Sequence, residues 1–92
     1  MTAQDDRFAE LRRLVGENDR AIVDAVNRRL ELVEELWRLK AERGDARLDP
    51  EREQHLRKQL LEANRGPLSD DGLDRLVGEL LELTKRELGG TG

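Results

Sequence analysis

One proline-free segment constrains the fold of this chain more than any other feature. From about Asp6 to Arg43 there is no proline, and apolar residues recur at the three-and-four spacing of one helical face. They are Leu11, Val15, Ile22, Ala25, Val33 and Leu36, with a second apolar arc beside them at Phe8, Val23, Val26, Leu30 and Trp37. A helix of roughly 37 residues would be ~55 Å long, and the rest of the chain is too short to cover it. The segment therefore predicts a very long first helix that a partner chain must cover.

Two cations interrupt this apolar face. Arg29 and Lys40 stand where leucine or valine would be expected, and Asn18 is a further polar interruption. The interval from Arg29 to Lys40 is about three helical turns, so both side chains point to the same inward side. An unpaired buried charge is costly, so this face must meet either acidic side chains or a bound anion.

Helix-ending residues divide the remainder of the chain into two shorter helices. Gly44 and Asp45 end the first helix, and Asp49 followed by Pro50 starts a second that runs from about Pro50 to Ala63. The inward residues of the second helix are Glu53, Leu56, Leu60 and Ala63, with Arg52 beside them.

The segment 64–67 stops the second helix, and Ser69 can cap a third from about Asp70 to Leu88. The inward stripe of the third helix is Leu73, Val77, Leu80 and Thr84. Strand signals are absent. The sequence thus predicts a single all-α domain over residues 1–92, with an ordered core of about 6–88.

Composition excludes several classes of function. The net charge is −4 and only 2% of residues are aromatic, so neither a basic surface nor stacking platforms for nucleic acid are expected. There is no cysteine, and His55 is the lone histidine, to which we assign no role. No metal triad, phosphate loop or Ser-His pair is present. No stretch approaches the ~20 apolar residues needed to span a bilayer, so the chain is expected to be soluble and cytoplasmic.

Polar side chains on or beside the inward faces of all three helices could converge on one cavity. They are Arg29, Lys40, Arg52, Glu53 and Thr84. Arginine suits bidentate binding of a carboxylate, lysine meets a single oxygen, and Glu53 could accept a ligand hydroxyl. The alternative is a plain coiled-coil-like dimer in which Arg29 and Lys40 pair with Glu53 or extend to the surface. Spacing alone leaves both interpretations open.

Residue types add a resemblance to a known family. The pieces that carry it are Leu11-Arg12, Asn27-Arg28-Arg29, Arg38-Leu39-Lys40, the run 49–53 and the turn 64–69. Their order and intervals resemble the small all-helical class of chorismate mutases from about Leu11 to Leu88. The resemblance implies an intertwined homodimer of three-helix chains, with two active sites that are each built from both chains.

The reaction implied by the resemblance is the rearrangement of chorismate to prephenate, which needs no cofactor and no metal. By this resemblance the partner's Arg12, together with Arg29 and Arg52, would hold the two carboxylates of the substrate, with Thr84 assisting. Lys40 would meet the ether oxygen. Glu53 and the backbone near Asp49 would receive the ring hydroxyl.

Two positions depart from the family pattern. Leu88 stands where the family usually has glutamine or glutamate as a second contact to the ether oxygen. We therefore expect Lys40 to make that contact alone, with weaker catalysis. Trp37 stands where relatives often carry a small residue, and we expect it to pack at the dimer interface rather than against a ligand.

Several alternatives share the same scaffold. They are an isochorismate pyruvate lyase, an amino-deoxychorismate mutase and a non-catalytic regulatory dimer. Asp49 and Glu53 favour a substrate that carries a hydroxyl. Some relatives are activated by the first enzyme of the shikimate pathway, and the polar tail after Leu88 is compatible with such a partner.

Overall fold

The computed structural model describes residues 2–89, which form three α-helices. These are α1 (Ala3–Arg43), α2 (Pro50–Ala63) and α3 (Asp70–Gly89), and no strand occurs among the described residues. The prediction of an all-α chain with a very long first helix is confirmed. The bounds of α2 are those predicted, and α3 is one residue longer. Most of the polar tail, residues 90–92, lies outside the described residues.

Helix α1 begins three residues before the predicted start at Asp6. The reason is a reciprocal cap, in which the Thr2 hydroxyl accepts the backbone N–H of Asp5 and the Asp5 carboxylate accepts the backbone N–H of Thr2. The helix ends at Gly44, whose φ of 78° lies in the left-handed region that glycine adopts most easily.

Side-chain caps start the other two helices as the sequence predicts. The carboxylate of Asp49 accepts the backbone N–H of Arg52 at 3.1 Å, and Pro50 occupies the first turn of α2. The hydroxyl of Ser69 accepts the backbone N–H of Gly72 at 3.0 Å. These caps fix the directions in which α2 and α3 leave their loops.

Helix α3 is the centre of the fold, because it packs against both α1 and α2. Its predicted stripe is confirmed, since Leu73, Val77 and Thr84 are buried and Leu80 is partly buried. Of the described residues outside α3, only Trp37 on α1 is equally buried. The core therefore lies along α3 and the C-terminal part of α1.

The N-terminal half of α1 extends away from this core. The chain is 63 Å long, close to the ~62 Å expected for α1 itself. Residues 3–25 are exposed apart from Gly16, including Phe8, Val15 and Ile22, which retain 54–59% of their accessible surface. The total accessible surface is 7773 Å², against roughly 5,500 Å² for a compact monomer of this mass. One chain thus leaves most of the long apolar face uncovered. No helix of the described part is long and apolar enough to cross a membrane.

Candidate active site

A cavity of about 240 Å³ lies where the three helices and the α1–α2 loop meet. Part of its wall is apolar, formed by Val33, Leu36, Trp37, Leu48, Leu56 and Leu81. A concave, partly apolar cavity with a few polar groups is typical of a small-molecule site.

The rest of the lining is strongly charged. Five basic side chains reach it, which are Arg29, Lys40, Arg47, Arg52 and Lys85, together with the acidic Asp49 and Glu53. The lining therefore carries a net charge of +3 in a chain whose net charge is −4. Such a local reversal of sign favours a small anion carrying more than one negative charge.

The structure brings together most of the residues predicted for the site. Six of them line this one cavity, namely Arg29, Lys40, Asp49, Arg52, Glu53 and Thr84. They come from all three helices and the loop, so the cavity exists only when the whole chain is folded.

Arg29 is held by Thr84 across the α1–α3 contact. The guanidinium Nη1 donates to the Thr84 hydroxyl, which itself donates to the Leu80 carbonyl at 2.7 Å. Thr84 retains 5% of its accessible surface, so this contact is shielded from water. Because the threonine hydrogen is committed to Leu80, Thr84 orients Arg29 in the free protein and has no hydrogen left for a ligand.

Lys40 is held by the α1–α2 loop. Its Nζ donates to the backbone carbonyl of Arg47 at 3.2 Å. The guanidinium of Arg47 lies over the Trp37 ring, 5.2 Å from the centroid, in the geometry of a cation–π contact. Residue 47 therefore ties the loop to α1 through its side chain and positions the Lys40 ammonium through its backbone.

Glu53 pairs with a residue that the sequence did not indicate. Its Oε1 lies 3.8 Å from the Nζ of Lys85 on α3. Among the described residues, neither Arg29 nor Lys40 forms an ion pair with Glu53. Within one chain, therefore, Glu53 neutralises neither of these two cations.

Two of the predicted site residues lie outside the cavity. Arg12 precedes Arg29 by ~26 Å along α1, and its guanidinium lies 4.8 Å from the centroid of the Phe8 ring. Leu88 faces a neighbouring groove that it shares with Trp37 and Arg47. Neither side chain reaches the cavity of its own chain.

Three polar or aromatic lining residues were missed or misjudged from the sequence. Arg47 lies in a loop, where helical periodicity gives no orientation, and Lys85 follows Thr84 on a stretch that alternates in charge like a solvated face. The expectation that Trp37 packs between chains rather than beside a ligand is corrected. One chain alone reduces its exposure to 9%, and it forms part of the cavity wall.

Comparison with known proteins identifies the family. The family model for chorismate mutase type II matches residues 11–87, which is most of the chain. The chain belongs to the type II chorismate mutase family. Members of this family are isomerases, and the resemblance noted from the sequence is confirmed.

Two solved chorismate mutase structures are similar to this family member. Form I of the chorismate mutase from Thermus thermophilus is 32% identical, with a TM-score of 0.81 over 85% of this chain and 98% of that chain. Form II of the same protein is 33% identical, with a TM-score of 0.78 over 88% of this chain and 97% of that chain. No functionally curated protein matches significantly.

Proposed function

We propose that this chorismate mutase family member converts chorismate to prephenate without a cofactor, at a site completed by a second copy of the chain. The observation that carries the proposal is that Arg29, Lys40, Arg52 and Glu53 converge on one cavity of net positive charge. Chorismate is a dicarboxylate with an ether oxygen and a ring hydroxyl, so it presents the groups that such a lining would bind.

The cations on α1 and α2 bind the two carboxylates. Arg29 is already fixed by Thr84, so little conformational entropy is lost when it meets the substrate. Arg52 lies in the first turn of α2, and its backbone N–H is engaged by Asp49 while its side chain lines the cavity. The partner's Arg12 supplies a third guanidinium.

The reaction is an intramolecular rearrangement, in which one carbon–carbon bond forms while the ether carbon–oxygen bond breaks. The site accelerates it by holding the folded conformer in which the reacting carbons are adjacent. Lys40 stabilises the negative charge that develops on the ether oxygen. Acceleration of about a millionfold, or ~8 kcal/mol, is at the modest end of the enzymatic range and needs no covalent step.

Glu53 and the backbone near Asp49 receive the ring hydroxyl. Glu53 retains 30% of its side-chain exposure and, as a carboxylate, can only accept hydrogen bonds. Its substrate must therefore carry a donor at that position. This role favours chorismate over a compound without a donor there.

The second copy is required by the position of Arg12. For Arg12 to reach the partner's Arg29, the two α1 helices must run antiparallel. Two residues then lie opposite each other when their residue numbers add up to about 41. This register sets Leu11 near the partner's Leu30, and Val15 near the partner's Val26. The excess exposed surface of roughly 2,300 Å² per chain is the amount that an obligate homodimer interface buries.

Chorismate consumption by the purified protein tests the proposed activity. Prephenate is identified as the product by chromatography, and wild type is compared with Lys40→Ala. The matched control is Lys58→Ala, because Lys58 is an exposed lysine on α2 outside the cavity. We expect turnover in wild type and Lys58→Ala and a loss of about a hundredfold or more in Lys40→Ala. Inert wild-type protein would contradict the proposed activity, and equal turnover in all three would contradict the role of Lys40.

A further inference from the structure

Lys85 is the cavity residue whose role the proposed reaction does not use. It lies on α3 directly after Thr84, and its ammonium is 3.8 Å from Glu53. That separation allows charge attraction but is longer than a hydrogen bond. Lys85 retains 40% of its side-chain exposure, so water screens part of its attraction to Glu53.

Lys85 is also the charged group that α3 contributes to the lining. The other α3 lining residues are Leu81, which is apolar, and Thr84, whose hydroxyl is engaged by Arg29 and Leu80. The charge of Lys85 therefore acts on Glu53 and on whatever ligand group Glu53 meets.

We infer that Lys85 determines which ring substituent the site accepts, by neutralising Glu53 and repelling an ammonium. The inference rests on the proposed function, in which Glu53 receives the ring hydroxyl. A lone carboxylate binds a cationic donor more strongly than a neutral one, so Glu53 alone would favour a substrate with an amino group in place of the hydroxyl.

With Lys85 beside Glu53, that preference reverses. A hydroxyl donates a hydrogen bond to Glu53 and leaves the ion pair with Lys85 in place. An ammonium at the same position would stand within a few ångströms of the Lys85 ammonium, and juxtaposed like charges oppose binding. The pair therefore selects a neutral donor and excludes a charged one.

The test compares two substrates, chorismate and 4-amino-4-deoxychorismate, by kcat/KM. The variant Lys85→Met removes the charged nitrogen but keeps an unbranched chain as far as Cε, and Lys85→Arg keeps the charge. Lys58→Met is the matched control on the exposed face of α2. We expect the ratio of kcat/KM for the amino substrate to that for chorismate to rise about fivefold in Lys85→Met. It should stay unchanged in Lys85→Arg and Lys58→Met.

A merely structural role for Lys85 would lower kcat/KM for both substrates alike and leave their ratio unchanged. That result would overturn the inference, whereas chorismate turnover by wild type would still support the proposed function. If wild type turns over neither substrate, the proposed function fails. Calorimetric affinities for the two compounds then test the selection at the level of binding, and an unchanged affinity ratio in Lys85→Met would overturn the inference as well. Circular dichroism verifies that each variant is folded.

Discussion

Complementation between two inactive variants would reveal whether each site draws residues from both copies of the chain. Arg12 precedes Arg29 by ~26 Å along α1, several times the length of an arginine side chain, so the two cannot serve one cavity within one chain. Arg12→Ala and Arg29→Ala should each lose about a hundredfold or more in kcat/KM, because each removes a carboxylate contact.

The expected recovery follows from counting sites. Equal amounts of the two variants, unfolded together in urea and refolded, would form heterodimers as about half of all dimers if chains associate at random. In each heterodimer one cavity combines an intact Arg29 with the partner's intact Arg12, and the other cavity lacks both. The mixture should therefore recover about a quarter of the wild-type rate.

The matched control mixes Arg29→Ala with Lys40→Ala. Both lesions lie in the cavity of their own chain, so every cavity in every dimer carries one of them and no recovery is expected. If the Arg12→Ala and Arg29→Ala mixture shows only the mean of its two components, the shared-site reasoning is refuted. Size-exclusion chromatography of each refolded sample verifies that dimers form.

Three other substitutions test individual contacts. Thr84→Val removes the acceptor that holds Arg29 and should raise KM for chorismate about tenfold, whereas Thr84→Ser should leave it near wild type; equal KM values would contradict the positioning role. Leu88 faces the groove beside the cavity, so Leu88→Gln should leave kcat near that of wild type, and a marked rise in kcat would show that a side chain at residue 88 reaches the ether oxygen. Gly44→Ala forces a side chain into the left-handed region and should lower the free energy of unfolding by about 1 kcal/mol. In Gly66→Ala the added Cβ meets no atom within 4 Å, so urea denaturation at equal protein concentration should find it nearly neutral.

The helices could be predicted closely because their ends depend on local chemistry. Asp49, Pro50 and Ser69 act on backbone groups within three residues, so the local sequence is enough to predict where these helices start. The predicted start of α1 is too late because the cap formed by Thr2 and Asp5 precedes the apolar pattern on which that prediction rests.

Of the charged residues in the cavity, some can be predicted from the sequence and others only from the folded chain. Arg29 and Lys40 can be predicted because they interrupt an apolar face, which indicates a charge that meets a partner group or a ligand. Lys85 interrupts nothing, and its importance emerges only when α2 and α3 are packed and Glu53 lies opposite. Arg47 depends on the path of a loop, which no periodicity describes.

The small core has a consequence for how the protein must be handled. Within the described part of one chain, the buried apolar side chains are Trp37, Leu73 and Val77, fewer than an independent domain needs to offset the entropy of ordering its backbone. In the proposed homodimer, folding and association are therefore one equilibrium, and apparent stability depends on protein concentration. Dilution would yield disordered chains that proteases can cleave, rather than folded but inactive monomers. Specific activity measured at low enzyme concentration would therefore depend on the fraction of dimer as well as on the turnover rate of each site.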